Sequence, residues 1–183
     1  MIISHKHKYV YISIPRTGSA SMFIWLRDHY DGEIFILHPF SEHGKFDWDV
    51  PEECKSYFIF AMVRNPYERY LSWWKRSAYR SSAFHDFVRA RFDTVGITCR
   101  AVTQKTFILN SGAQKFIHLE NLEELKTLPF VSEPLPEFPW TKKTEKIIEP
   151  NLDTLNVEEE QAVWDCCSED FDFLGYKRLI IKS

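Results

Sequence analysis

The chain has 183 residues, 44% of them hydrophobic, 27% charged and 16% aromatic, which suits one globular domain with a sizeable core and argues against disorder. A net charge of −3 gives no general pull toward nucleic acid or an anionic membrane surface. The four cysteines (Cys54, Cys99, Cys166 and Cys167) contain no C-x-x-C pair, so neither a disulfide framework nor a zinc site is expected, and no metal is.

The N-terminal stretch "MIISHKHKYVYISI" holds no apolar run long enough for a signal peptide or a membrane span, and a soluble, cytoplasmic protein is expected. A first strand is predicted over Tyr9 to Ile14 and ends at Pro15; a helix follows from Ser19 to His29. "EIFILH" (33–38) is a second short apolar run, followed by a polar, Pro-containing loop. "SYFIFAMV" (56–63) carries no charge over eight residues, as expected of a parallel strand covered on both faces. "NPYERYLSWWKRSAYR" reads as a helix with Asn65 as N-cap and Pro66 at the first helical position. Further helices are predicted over "SSAFHDFVRARF" and Val102 to Leu109. "KFIHLE" (115–120) reads as a third core strand, followed by a short helix from Leu122. Residues 129–150 carry five of the nine prolines and form a long irregular segment, either a functional loop or a linker. "NVEEEQAVWDCC" is a final helix capped by Asn156. Strands alternating with helices predict an α/β layer fold with a parallel sheet.

Charge is unevenly spread along this order. Residues 64–91 hold seven Arg or Lys against two acids, and residues 119–172 hold fifteen acids against four Lys. A basic middle in a mildly acidic chain suggests a local anion site.

Two strand-to-helix turns carry the chemistry. In "YISIPRTGSAS" a cation and several hydroxyls stand between a buried strand and a helix, at the carboxyl edge where α/β sheets bind ligands. The helix N-terminus offers backbone N–H groups to a phosphate or sulfate. Gly18 allows close approach, Thr17, Ser19 and Ser21 carry donor hydroxyls around Ala20, and Arg16 supplies a permanent cation. An ordinary capped turn is the plain alternative. The pattern G-x-x-x-x-G-K-[ST] is absent, which disfavours an ordinary ATPase or GTPase. In "VRNPYERYLSWW", Arg64 stands just past the buried strand and Ser72 lies eight residues on, on a helix whose first turns are expected to be exposed. The pair suits a second phosphate, against the plain reading of a solvated Arg and a surface Ser.

"YISIPRTGSAS" followed by "FIFAMVRNPYERYLSWW" resembles the sulfotransferases that use 3′-phosphoadenosine 5′-phosphosulfate (PAPS) as sulfuryl donor. "KFIHLENLEEL" and "SEDFDFLGYKR" extend the resemblance, in order, over most of the chain, and it looks closest to the carbohydrate 2-O-sulfotransferase branch and its small bacterial and viral relatives. The resemblance implies one sulfotransferase domain over 1–183, with a three-layer, P-loop-NTPase-like fold around a central parallel sheet. It further implies that residues 16–21 grip the 5′-phosphosulfate, Arg64 and Ser72 grip the 3′-phosphate, and the acceptor is a hydroxyl, of a carbohydrate by analogy. The family usually has Lys at the position of Arg16, where it stabilises the leaving oxygen. The charge role carries over, and the hydrogen-bond geometry of a guanidinium differs.

Removal of the acceptor proton needs a base with a pKa near neutrality. Relatives place a catalytic His in the loop upstream of the R-N-P strand, which here means His43 first and His38 second, with Glu42 weaker. His5, His7 and His29 read as surface residues, and His85 and His118 as satisfied structural ones. A late basic loop closes over the nucleotide in related enzymes, and Lys142, Lys143 and Thr144 are the corresponding candidates, with Trp140 available to stack on adenine or line an acceptor site. A nucleotide-dependent kinase and a non-catalytic nucleotide-binding module are the competing readings.

Overall fold

A computed structural model describes residues 1–35, 48–76, 82–92, 102–140 and 150–181. Its backbone divides into two compact units, Met1–Val63 with Thr106–Lys142, and Arg64–Lys105 with Lys143–Ser183.

The first unit is built on a five-stranded sheet of order β3-β1-β2-β4-β5, with β1 at Ile2–Ser4, β2 at Tyr9–Ile12, β3 at Glu33–Ile34, β4 at Phe58–Val63 and β5 at Lys115–His118. β4 is the central parallel strand: it pairs with β2 (Tyr9↔Phe58 to Ile12↔Ala61) on one side and with β5 (Phe60↔Lys115 to Val63↔His118) on the other. Five of its six residues are buried, which is why its sequence is apolar without alternation. The sheet is not parallel throughout. β1 pairs antiparallel with both β2 and β3, so what reads as a polar N-terminal tail is a strand and a turn. Three residues are too few to show a period, and β1 gains its order from the ladder of β2. Of "EIFILH", the described residues 33–35 give the two strand residues of β3, with Ile34 and Phe35 exposed.

Helix α1 (Ser19–Tyr30) lays Met22, Trp25, Leu26 and Tyr30 on the sheet residues Tyr9, Tyr11, Phe60 and Met62. The described part of the proline-rich segment packs on this core. Phe130 stacks on Tyr9 with ring centroids 4.2 Å apart, and the Trp25 indole N–H donates to the Pro136 carbonyl at 3.2 Å. Up to residue 140 it is therefore a packed loop and not a linker.

The second unit is helical. Helix α2 (Pro66–Trp74) opens as its sequence predicts, with the Asn65 side chain accepting from the Tyr67 N–H at 3.0 Å. α2 packs with α3 (Phe84–Phe92) and α5 (Val157–Leu174) through Tyr67, Trp73, Trp74, Phe84, Phe87 and Phe171. Every α2 residue except Glu68 is buried, so the expected exposed first turns are not exposed: the aromatic side chains surround the helix. Helix α4 spans Gln104–Ser111. α5 has the Asn156–Glu159 capping box, is interrupted at Cys167, and continues to Leu174, seven residues beyond the expected end, until Gly175 terminates it with φ 75°. Among the described residues no helix is long and apolar enough to cross a membrane.

The chain's charge asymmetry is partly neutralised inside this unit. Arg69 faces Asp170 at 4.0 Å with both side chains fully buried, and Arg89 reaches Glu158 at 3.3 Å. Arg178 places two guanidinium nitrogens on the Glu160 carboxylate at 2.9 Å each, and the Tyr67 hydroxyl donates to the same carboxylate at 2.5 Å. Burial alone raises the Glu160 pKa, but the Arg178 and Tyr67 hydrogen bonds outweigh it and hold it below the usual glutamate value. A depressed folded pKa contributes stability above the unfolded value, and that contribution is lost as pH falls through the folded one. Glu160→Gln should therefore cost about 1–3 kcal/mol at pH 7, and the gap to wild type should narrow toward pH 3 in urea unfolding. A gap that stays constant with pH would contradict the linkage.

Candidate functional site

The turn from β2 to α1 is held by a single carbonyl. The Ile14 oxygen accepts the Thr17 hydroxyl at 2.9 Å and the Ser19 hydroxyl at 2.7 Å. The Ile14 N–H in turn donates to Ile12 O at 3.1 Å. Between these anchors Arg16 lies at φ 71° and Gly18 at φ 86°, both left-handed. A left-handed arginine is uncommon and strained, and such strain concentrates at functional positions. A Cβ at Gly18 would stand 2.8 Å from Leu119 Cδ1 and 3.4 Å from Met62 Sδ, so the Leu119 side chain would have to shift.

Thr17 and Ser19 direct their hydroxyls at the turn's own backbone. Each hydroxyl has one hydrogen, and both are directed at Ile14, so these side chains shape the loop and do not offer that proton outward. Thr17 is fully buried and Ser21 nearly so, while Ala20 is exposed. The Tyr11 phenol lies fully buried near the two hydroxyls; burial pushes its pKa up, and Ser19 and Thr17 oppose the shift. α1 begins with no side-chain cap and no acidic residue in its first turn, so that turn itself supplies no carboxylate to offset the positive end of the helix. The turn can hold a tetrahedral anion through backbone N–H groups, with Arg16 as cation.

The second unit carries Arg64 and Ser72. Arg64 directly follows β4, and its Nη2 donates to Glu68 Oε2 at 2.6 Å with the side chain 17% exposed. Gln104, fully buried at the start of α4, donates Nε2–H to the Arg64 carbonyl at 2.8 Å, and its Oε1 accepts the Arg64 N–H at 2.9 Å. Ser72 sits in α2, 6% exposed and so not a surface serine. The sequence marks the start of a helix near Gln104 but carries no signal for its bond to Arg64, which depends on tertiary placement.

His38, His43, Lys142, Lys143 and Thr144 lie outside the described residues. Of the other histidines, His5 contacts the Tyr57 hydroxyl at 2.9 Å and His7 meets Asp31 at 3.1 Å, both on the sheet's N-terminal turn. His29 is exposed, and His85 meets Asp86 at 3.4 Å. His118 is satisfied by a carboxylate, as its structural reading expects. It ends β5 at the carboxyl edge of the sheet, opposite Val63, and is partly exposed. Its Nδ1 stands 3.0 Å from both oxygens of Glu124, and its backbone N–H donates to the same carboxylate at 2.9 Å. Burial raises the Glu124 pKa, but the bonds from His118 and Asn121 outweigh it and bring it below the usual value. A carboxylate on Nδ1 orients the imidazole ring, an arrangement compatible with a general base. Its partner Glu124 lies six residues away in a short helical turn, a spacing without a helical or strand period.

A sequence model described as the sulfotransferase family matches residues 1–106, which include the β2–α1 turn, Arg64, Ser72 and Gln104. No curated protein and no solved structure gives a significant match.

Gly18→Ala tests the turn. The left-handed backbone should cost about 1–2 kcal/mol, and the contact with Leu119 a further ~1–3 kcal/mol, measured by urea unfolding. In a Leu119→Ala background the second part should vanish. An equal cost in both backgrounds would show that Leu119 does not limit the turn.

Proposed function

The chain belongs to the sulfotransferase family, and on that premise we propose that it transfers the sulfuryl group of PAPS to a hydroxyl, of a carbohydrate, with the whole chain 1–183 serving as one sulfotransferase domain. The observation that carries this reading is the β2–α1 turn, where Arg16 and Gly18 are left-handed and α1 starts without a capping side chain. Such a turn suits the 5′-phosphosulfate of the donor: backbone N–H groups of residues 18–21 bind the anion and Arg16 neutralises it.

In the reaction the acceptor oxygen forms a bond to sulfur as the bond from sulfur to the bridging 5′-phosphate oxygen breaks. Adenosine 3′,5′-bisphosphate leaves, and the acceptor proton passes to a base. As in phosphoryl transfer, positioning and electrostatics do most of the work. Arg16 and the end of α1 stabilise the charge that develops on the leaving oxygen. Arg64 and Ser72 bind the 3′-phosphate, and for this Arg64 exchanges its Glu68 partner for the ligand, or shares it. Lys142, Lys143 and Thr144 contact the phosphates from the late loop. His43 takes the proton, with His38 second; the His118–Glu124 pair is an alternative base, favoured by its orientation at the carboxyl edge of β5.

The kinase reading is disfavoured by the missing Walker Lys. At about 100 times its dissociation constant, adenosine 3′,5′-bisphosphate should stabilise the fold by about 2.7 kcal/mol, a melting shift of roughly 5–11 °C for a chain of this size. ATP with magnesium at equal concentration should do much less. A larger shift with ATP would overturn the sulfotransferase reading, and binding of the bisphosphate without transfer to any sugar or phenol acceptor would favour a non-catalytic module.

The base is assigned by turnover. His43→Ala should lower it about 10²–10⁴-fold while nucleotide affinity stays nearly intact. If His118→Ala and Glu124→Gln show that profile and His43→Ala does not, the base is His118.

A further inference from the structure

β4 ends at Val63, and the sheet ladder ends with it: the last rung is the Leu119 N–H donating to the Val63 carbonyl at 2.9 Å. The next residue, Arg64, needs new partners for its own N–H and C=O. Both come from one side chain. The Gln104 amide supplies a donor at 2.8 Å and an acceptor at 2.9 Å, reproducing the two-bond pattern that a neighbouring strand would give.

Gln104 is itself held. Its backbone N–H donates to Asp170 Oδ2 at 3.0 Å, and the following Lys105 N–H donates to Asp170 Oδ1 at 2.8 Å. The Asp170 carboxylate thereby caps the N-terminus of α4 from α5. Thr103 and Lys105 grip the adjacent Glu169 at 2.8 and 3.1 Å, and the buried Arg69 stands 4.0 Å from Asp170 while donating to the Val102 carbonyl at 3.1 Å. A chain of contacts thus runs from α5 through the start of α4 to the backbone of Arg64, and Glu68 steadies the guanidinium at the other end of that residue.

From this geometry we infer that Gln104 is a positioning residue for the 3′-phosphate site: it fixes the backbone of Arg64, so that only the guanidinium turns between Glu68 and the phosphate. The inference rests on the proposed role of Arg64. An amide is the side chain that fits, since it offers donor and acceptor together. Glutamate lacks the donor, and alanine leaves two peptide groups unpaired in a buried place.

The test compares adenosine 3′,5′-bisphosphate with adenosine 5′-monophosphate, which differ only in the 3′-phosphate, by calorimetry on the full chain. Wild type should prefer the bisphosphate, and Arg64→Ala should lose that preference. Gln104→Ala and Gln104→Glu should each reduce the preference about tenfold or more, with affinity for the monophosphate unchanged. A merely structural role would weaken both ligands alike or neither, and either pattern overturns the inference. A wild type that binds both ligands equally overturns the Arg64 assignment and this inference with it. A preference lost in Arg64→Ala but kept in both Gln104 variants overturns the inference alone. If the variants fail to fold, amide hydrogen exchange on wild type decides: the Arg64 N–H should be strongly protected before ligand is added, and protection that arises only with the bisphosphate overturns the inference.

Discussion

The carbonyl of Ile14 is the constraint on which the candidate site depends. By accepting the Thr17 and Ser19 hydroxyls together, it turns the chain out of β2 within a few residues and starts α1 immediately. That short path requires left-handed backbone at Arg16 and Gly18. It brings Gly18 so close to Leu119 that a Cβ would force that side chain to shift. The hydroxyls that shape the turn are those a ligand-centred reading would assign to the ligand. Their inward use leaves the backbone amides and Arg16 as groups suited to an anion, in a geometry braced by the turn's own hydrogen bonds.

Arg64 follows the same logic with different parts. It stands one residue beyond the last rung of the sheet, where a backbone is normally free to vary. A buried glutamine amide replaces the missing strand, and the acidic pair Glu169 and Asp170 secures the helix that carries the glutamine. The uneven charge of the sequence has its explanation here. Acids of the C-terminal stretch serve as partners for the basic middle: Asp170 for Arg69, and Glu158 for Arg89. A cluster that reads as an anion site is in part an internal ion-pair set, and Arg64, paired within its own helical turn to Glu68, is the cation placed at the strand end.

Features governed by local rules were legible in the sequence. The uncharged run of β4, the Asn65–Pro66 helix start and the Asn156 cap follow from periodicity and capping chemistry, and each is observed, whereas β2 stops at Ile12 and not at the expected Ile14. What was missed depends on distant partners. β1 has three residues and takes its order from β2. α5 outlasts its expected end because Gly175, not the Cys166–Cys167 pair, terminates it. Most of α2 is buried because aromatic side chains from α3 and α5 pack on it, and no pattern within α2 announces it. Gln104 and the His118–Glu124 pair are joined across 40 and six positions, distances at which sequence spacing carries no information.

The central claim is that the β2–α1 turn holds the 5′-phosphate group through backbone amides, and amide resonances report on it directly. In a titration followed by 15N–1H correlation spectra, adenosine 3′,5′-bisphosphate should shift the amides of Gly18, Ser19, Ala20 and Ser21 strongly. Adenosine 3′-monophosphate, which lacks the 5′-phosphate, should leave them nearly unmoved. Saturable binding of the bisphosphate with those four amides unperturbed would contradict the account.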